Sequence, residues 1–320
     1  MNIIIYIILL SLTLISFFTP NLFFMWLFLE ISSLLFCIYL NINSNKIYSI
    51  MYFLISCMTS ILIIYYLLNW SNSNTIILLF SLWMKLGLFP LNSWMNFLMK
   101  NINYNSLILL LTIMKCIPMF MFLNFIMFNY NILFILTLMT IPPVLLSFNT
   151  SSFPLLMNYS SMYNIPLMLI FSYMNLNFML TYMIIYMLST LMIILLLKQF
   201  NLLFKNSLNL ELNYKNKILY NLSMFMYAQL PPFTPFIIKW NLIEFMNFYS
   251  YMSIMIMMII MSSLIMTFNY LNFYNNNFFL SNFKIGHKIN FYKKSNSIIM
   301  LISYPSLFMF SMFIIYLLMN

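Results

Sequence analysis

Four ionisable side chains, Glu30, Lys85, Lys115 and Lys239, lie within or against long apolar stretches of a 320-residue chain in which only 5% of the residues are charged. A charge inside hydrocarbon is costly. Such residues therefore usually face the interior of a helix bundle and mark a path for ions or protons. The pattern predicts that the chain moves protons through a membrane.

The depth of these residues distinguishes them from ordinary interfacial lysines. Glu30 and Lys115 lie about ten residues from either end of their apolar stretches, which is about 15 Å along a helix that rises 1.5 Å per residue. Lys85 is similarly deep. For Lys239 and Glu244, near the end of one stretch, a long side chain that reaches the membrane interface is an alternative interpretation.

Prolines accompany the lysines. They are Pro90 after Lys85, Pro118 after Lys115, and Pro231, Pro232 and Pro235 before Lys239. Proline removes a backbone donor and clashes with the preceding turn, so each of these helices is predicted to kink or break beside its lysine. Broken helices occur in membranes where they line a hydrated cavity, and transporters hold their ions there.

The elements that position these residues are membrane helices. The chain is 64% hydrophobic and 20% aromatic, with a mean hydropathy of +0.98, as is typical of a polytopic membrane protein. At roughly 20 residues per span, we predict an all-α fold of about 11 transmembrane helices in one domain over residues 1–320. The predicted spans lie near residues 1–18, 20–40, 47–68, 75–93, 105–127, 131–148, 153–172, 176–198, 218–244, 247–273 and 297–319.

Lysines between the spans predict an orientation. Lys46 follows the second span, Lys100 the fourth, the stretch 198–217 the eighth and the stretch 284–294 the tenth, whereas the connections after odd-numbered spans carry no lysine. Basic loops collect on one side of a membrane. The N-terminus is therefore predicted on the side of these loops, and the net charge of +10 is a topology signal rather than an indication of nucleic-acid binding.

The residue types also restrict the chemistry. Gly87 and Gly286 are the only glycines, too few for a dinucleotide- or phosphate-binding loop. His287 is the only histidine and lies in a polar segment, so paired intramembrane histidines for haem or copper are missing. The three cysteines lie in separate stretches without C-x-x-C spacing. The sequence predicts no cofactor and no metal in this chain.

Five segments between residues 26 and 240 carry a family pattern. They are Trp26 with Glu30, Trp83 to Pro90 with Trp94, Leu109 to Thr112 leading to Lys115 and Pro118, Tyr159 to Ser161, and Leu230 to Thr234 with Phe236, Lys239 and Trp240. In order and spacing they are similar to the W-x-x-x-E, K-L-G-x-x-P-x-x-x-W, second-lysine, Y-S-S and L-P-P-x-T-G-F-x-x-K-W segments of one family. That family is subunit 2 of mitochondrial NADH:ubiquinone oxidoreductase, respiratory complex I.

The resemblance implies an antiporter-like proton-translocating module with proline-broken helices. In such modules a glutamate pairs with a lysine, a central lysine stores the proton and a third lysine passes it on; by position these are Glu30, Lys85, Lys115 and Lys239. Burial disfavours the charged form of such groups and a nearby opposite charge favours it. Making or breaking the Glu30–Lys85 pair is therefore expected to switch the proton affinity of Lys115.

The resemblance also implies the surroundings of the chain. FMN, iron–sulfur clusters, NADH and ubiquinone are expected in other subunits. The expected partners are other membrane-arm subunits, including a neighbouring antiporter-like subunit and small membrane subunits, and lipids. Val144 is the only valine and Ala228 the only alanine, beside 33 methionines, which indicates AT-rich codons as in an insect-type mitochondrial genome. We therefore predict the mitochondrial inner membrane, with the N-terminus in the matrix and the C-terminus in the intermembrane space.

Two departures from the family pattern and two alternative functions stay open. Thr234–Pro235 stands where the family has T-G, and Met162, Tyr163 and Asn164 stand where relatives often place a relay histidine; a hydroxyl or water chain through Tyr163 is one substitute.

One alternative function is a paralogous cation/proton antiporter, although such chains are usually longer. The other is a non-pumping membrane scaffold whose lysines hold helices together.

Overall fold

The computed structural model describes residues 2–43, 46–69, 75–200, 222–231, 233–249 and 252–279. All the regular elements within these ranges are helices, which confirms the predicted all-α class. The predicted span 297–319 and the basic stretch 284–294 lie outside the described residues, as does most of the stretch 198–217.

The chain divides into two compact units, Met1–Leu133 and Phe134–Asn320. The helices of the first unit are α1 (Asn2–Phe18), α2 (Leu22–Ile42), α3 (Lys46–Leu68), α4 (Thr75–Leu86), α5 (Ser93–Asn101), α6 (Tyr104–Leu111) and α7 (Ile113–Phe125). Here α3 packs between α2 and α4, and α7 packs against α1, α2 and α4. The boundary between the units falls within α8 (Tyr130–Met139).

The second unit is built around one deeply buried helix. Its elements after α8 are α9 (Ile141–Ser147), α10 (Phe153–Met174), α11 (Leu176–Phe200), α12 (222–227), α13 (Thr234–Asn247) and α14 (Ser253–Phe279). Nearly every side chain of α10 is buried, and this helix packs against α9 and α11. In turn, α13 packs against α11 and α14. The prediction of one domain over the whole chain stays a prediction.

Six described segments are long and apolar enough to cross a membrane. They are Leu22–Ile42, Lys46–Leu68, Tyr104–Phe125, Tyr130–Ser147, Leu176–Gln199 and Ser253–Asn272. The predicted number of about 11 spans is therefore not confirmed. The predicted span 75–93 comprises the 12-residue helix α4, a turn and the first residue of α5, because the chain leaves the helix after Leu86.

Hydroxyl residues, rather than glycine or alanine, are the small buried residues of α2 and α3, two helices that pack together. These two helices carry a set of buried small polar side chains: Ser32, Ser33, Ser49, Ser56, Thr59 and Ser60. The hydroxyls bond back to carbonyls of their own helix, as Ser56 Oγ does to the carbonyl of Phe53 at 2.7 Å. Small residues let membrane helices approach closely, so this composition still permits tight packing.

Candidate functional site

Lys85 lies in the last turn of α4, and the helix ends immediately after it in a Schellman motif. The N–H of Leu88 donates to the carbonyl of Trp83 at 3.2 Å, and Gly87 has a φ of +66°. This left-handed conformation costs other residues about 1–2 kcal/mol, so glycine suits the position. The break predicted beside Lys85 is thus formed by a glycine C-cap, with Pro90 in the turn that follows.

Glu30 on α2 and Lys85 on α4 interact electrostatically without touching. Lys85 is only 9% exposed, and its Nζ atom makes no hydrogen bond to a described residue; the same is true of Glu30 Oε1. The other oxygen of Glu30 accepts a hydrogen bond from Ser33 Oγ at 3.4 Å. The Cys37 and Cys57 thiols also lie near the Lys85 side chain. An acidic and a basic group therefore share an apolar site with unused hydrogen-bonding atoms on both.

Lys115 is 3% exposed and lies just after an interruption between α6 and α7. Thr112 leaves the helical conformation, with φ −108° and ψ −83°, and its hydroxyl donates to the carbonyl of Ile108 at 2.7 Å. Pro118 lies inside α7. The interruption predicted beside Lys115 is therefore present, but it precedes the lysine instead of coinciding with the proline. A threonine hydroxyl bonded to the carbonyl four residues earlier often bends a helix.

A second Schellman motif ends α12 and leads into the turn before α13. The N–H of Leu230 donates to the carbonyl five residues before it at 3.4 Å, and Gln229 has a φ of +57°. Pro231 follows in the turn, and Pro232 lies outside the described residues. Pro235 lies in the first turn of α13, where a helix needs no N–H donor. The predicted break is thus formed at Gln229 and Pro231, whereas Pro235 begins the next helix.

Lys239 on α13 contacts Tyr163 on α10. Its Nζ atom donates to Tyr163 Oη at 2.9 Å and lies 4.6 Å from the centre of the tyrosine ring. Lys239 is 8% exposed and Tyr163 is 1% exposed, so the contact is buried within the second unit. The narrow pocket around them has no room for a water molecule. The side chains around Lys239 and Tyr163 therefore pack against one another directly.

A second group of polar side chains, which was not predicted from the sequence, lies beside this contact. Tyr182 Oη donates to Asn164 Oδ1 at 2.6 Å, and Gln229 Nε2 donates to Asn164 Oδ1 at 3.2 Å and to Tyr182 Oη at 3.0 Å. Nearby, the Ser160 and Tyr227 hydroxyls are hydrogen-bonded to each other. The chain has 23 tyrosines, so the residue type alone could not indicate which are functional. The one-turn spacing of Ser160 and Asn164 on α10 was the usable signal for a polar face.

Glu244 lies on the exposed side of α13. It accepts a hydrogen bond from the indole N–H of Trp240, which is 53% exposed, while Lys239 on the same helix is buried. The structure thus places Glu30, Lys85 and Lys115 in the first unit. It places Tyr163 and Lys239 together in the second unit. Glu244 lies on the exposed face of α13.

The fold is shared with chains of three solved complexes. A chain of respiratory complex I from Thermus thermophilus with bound aureothin has a TM-score of 0.76 and 15% identity, covering 92% of this chain and 73% of that one. A chain of the membrane-bound sulfane sulfur reductase, an archaeal respiratory membrane complex, has a TM-score of 0.73 and 13% identity, covering 95% and 72%. A chain of the Mrp complex from Dietzia sp. DQ12-45-1b has a TM-score of 0.65 and 14% identity, covering 83% and 59%. These comparisons show the fold of the chain.

Sequence relatives specify the family. NADH-ubiquinone oxidoreductase chain 2 of Apis mellifera ligustica is 26% identical over 280 residues, which are 81% of this chain and 83% of the relative. The protein of the same name from Artemia franciscana is 30% identical over 223 residues, which are 69% and 72% of the two chains. The chain belongs to the NADH-ubiquinone oxidoreductase chain 2 family, as the motifs of the sequence indicated. No family model matches the sequence.

Proposed function

We propose that this chain is a proton-translocating membrane subunit of NADH:ubiquinone oxidoreductase and that Glu30, Lys85, Lys115 and Lys239 form its proton relay. The observation that carries the proposal is the burial of three lysines, none more than 9% exposed, each close to a helix interruption. A buried lysine changes its protonation state readily, which a proton carrier requires. An interrupted helix supplies backbone polar groups and flexibility beside it.

Family membership supports the assignment to this enzyme. NADH oxidation and ubiquinone reduction then occur in other subunits, which hold FMN and the iron–sulfur clusters, and this chain contributes a proton path without a redox centre. Its partners are other membrane subunits of the complex, among them a neighbouring antiporter-like subunit and small membrane subunits.

In the first unit, the Glu30–Lys85 pair is the proposed switch. The two groups interact through space but are not in contact, so the pair can close or remain open. When the pair closes, each charge stabilises the other. When the pair opens, the charge of Lys85 is no longer neutralised by Glu30 and acts on groups of the surrounding helices. Lys115 lies on α7, which packs against both α2 and α4, and its proton affinity therefore responds to the state of the pair.

In the second unit, Tyr163 is the proposed partner of Lys239 in proton transfer. Its hydroxyl accepts a hydrogen bond from the Lys239 ammonium and can release its own proton onward as it accepts one. The hydroxyl thus performs the role for which relatives often use a histidine. The narrowness of the pocket supports a side-chain route over a water chain at this point.

The proposed location is the mitochondrial inner membrane, which the chain crosses several times. Lys46, at the start of α3, and Lys100, in the last turn of α5, are both exposed and belong to the basic connections that predict the matrix side. In this orientation the N-terminus lies in the matrix and the C-terminus in the intermembrane space.

The non-pumping scaffold remains the alternative to a relay, because a scaffold also accounts for buried lysines that hold helices together. The separate antiporter is less well supported, since both curated relatives are NADH-ubiquinone oxidoreductase chain 2.

Replacing Lys239 by methionine tests the relay, because this change keeps the length of the side chain and removes its charge. We expect Lys239→Met to lower the number of protons translocated per NADH oxidised in the reconstituted complex. Lys198→Met is the control, since Lys198 is exposed at the end of α11 in the same unit. Normal stoichiometry in Lys239→Met, with the complex assembled, would support the scaffold.

A further inference from the structure

The chain contains two W-x-x-x-E segments, and the structure shows them in different states. In α13 the indole N–H of Trp240 donates to Glu244 Oε1. In α2 the corresponding atoms, Trp26 Nε1 and Glu30 Oε1, are both buried, and neither has a hydrogen-bond partner among the described residues. A buried donor and a buried acceptor, one helical turn apart, are thus left unused.

Helix geometry brings the two side chains of such a segment together. Residues four apart lie on the same face of a helix, and side chains lean towards its N-terminus, so the carboxylate of Glu30 extends towards Trp26. The bonded pair in α13 shows that this spacing lets the indole reach the carboxylate within a regular helix. Buried polar atoms nearly always find partners, so the two open atoms in α2 require an explanation.

We propose that Trp26 is a positioning residue of the proton relay and that its indole N–H donates to the ionised Glu30 carboxylate, directly or through one water. This inference rests on the relay role proposed for Glu30. A hydrogen bond to a charged acceptor is stronger than one to a neutral acceptor, so the indole favours the ionised carboxylate over the protonated one. In the structure Glu30 Oε1 is bonded to neither Trp26 nor Lys85. The indole and the ammonium then compete for this carboxylate as its side chain moves between them.

Few other groups near Glu30 can take this role. The titratable groups near Glu30 are Lys85 on α4, Tyr52 on α3 and Cys37 on α2. The other helices packed against α2 are α1 and α7, which carry the titratable groups Tyr6, Lys115 and Cys116. Apart from the lysines, none of these groups is a cation. Trp26 is the N–H donor that α2 itself places one turn from the carboxylate.

The first test compares Trp26→Phe with Trp94→Phe in the intact, reconstituted complex. Phenylalanine keeps an aromatic ring and removes the N–H donor. Trp94 is a matched control, because it is buried in the same unit, its Nε1 atom also lacks a partner, and the residue four positions later is Leu98 instead of a carboxylate. The readout is the pH dependence of protons translocated per NADH oxidised.

Without the indole donor the Glu30 carboxylate loses a hydrogen bond. The pH profile of Trp26→Phe is therefore expected to differ from that of the wild type. Trp94→Phe is expected to leave the profile in place. An unchanged profile in Trp26→Phe, or an equal shift in both variants, would overturn the proposal.

A spectroscopic measurement keeps the test independent of pumping and of the stability of Trp26→Phe. In the ultraviolet resonance Raman difference spectrum between wild type and Glu30→Gln, the hydrogen-bond-sensitive indole band is expected to move towards a weaker hydrogen bond. An unchanged indole band would contradict the inference even if Lys239→Met abolished pumping. Conversely, a shifted band with normal pumping in Lys239→Met would leave the indole contact standing and remove the relay.

Discussion

The hydrogen bond between Lys239 and Tyr163 joins a buried ammonium to a buried hydroxyl with no water molecule between them. An ammonium in apolar surroundings is stabilised by any hydroxyl or aromatic face within reach, and Tyr163 offers both. The same hydroxyl is a group through which a proton can leave the lysine. In the proposed relay the stabilising contact and the transfer route are therefore one interaction.

Replacing Tyr163 by phenylalanine separates the two parts of this interaction. The ring face remains for Lys239, but the oxygen that accepts its hydrogen bond is lost. We expect Tyr163→Phe to assemble and to slow proton translocation about tenfold, since a hydrogen bond to a charged group is removed from the route. Tyr173→Phe on the same helix is the control, because Tyr173 is 42% exposed. The rate of proton uptake into proteoliposomes checks the prediction, and equal rates in the two variants would contradict it.

Residue types in their local context predicted part of this site. The burial of Lys115 and Lys239 followed from charges within apolar stretches, and Tyr163 followed from its place after the Y-S-S turn. The partnership of Asn164, Tyr182 and Gln229 did not follow, because it joins α10 and α11 to the turn after α12, which lies 65 residues from Asn164 in sequence. Only the packing of the helices determines which polar groups meet.

At the scale of elements, two of the helix breaks share one geometry. Gly87 after α4 and Gln229 after α12 both have positive φ values, and both occupy the C′ position of a Schellman motif. Glycine adopts this conformation freely, whereas glutamine does so at a cost. In Gln229 the side-chain amide offsets the cost, since it donates to Asn164 and to Tyr182.

A pair of substitutions at Gln229 tests this explanation. Gln229→Ala loses both hydrogen bonds and keeps the unfavourable backbone conformation, whereas Gln229→Gly loses the bonds and relaxes the backbone. We therefore expect Gln229→Gly to be more stable than Gln229→Ala by about 1 kcal/mol, and both to be less stable than wild type. Thermal denaturation of the purified complex measures the order. An alanine variant as stable as the glycine variant would mean that the positive φ carries no strain.

The sequence predicted helix breaks near the three lysines and attributed each break to a neighbouring proline. The breaks are present, but other residues form two of them. Near Lys85 the residue that ends the helix is Gly87, and near Lys115 it is Thr112, while Pro118 continues the helix. Proline restricts the preceding turn but does not by itself decide where a membrane helix ends. A glutamine with positive φ, such as Gln229, has no sequence signature, because its conformation depends on tertiary hydrogen bonds.

At the scale of the whole molecule, the distribution of lysines predicts how the chain lies in the membrane. Lys100 follows a predicted even-numbered span, and Asn129 lies in the connection after the odd-numbered span 105–127. Both positions are exposed at helix ends. The orientation rests on the difference in charge between these two sets of connections.

Cysteine labelling checks this orientation. We expect Lys100→Cys to react with a membrane-impermeant maleimide from the matrix side only. We expect Asn129→Cys to react from the intermembrane-space side only. Mitoplasts and inverted inner-membrane vesicles expose the two faces separately. Reaction of both positions from the same face would contradict the predicted topology.

The central claim is that buried charge in this chain carries protons, and Lys115 tests it most directly as the most deeply buried lysine among the proposed relay residues, at 3% exposure. The measurement is protons translocated per NADH oxidised by the intact reconstituted complex. It compares wild type with Lys115→Met and with Lys100→Met, in which an exposed lysine of the same unit is replaced. We expect pumping to collapse in Lys115→Met while the complex assembles, and to remain normal in Lys100→Met. Normal assembly together with normal pumping in Lys115→Met would show that the buried lysines are structural.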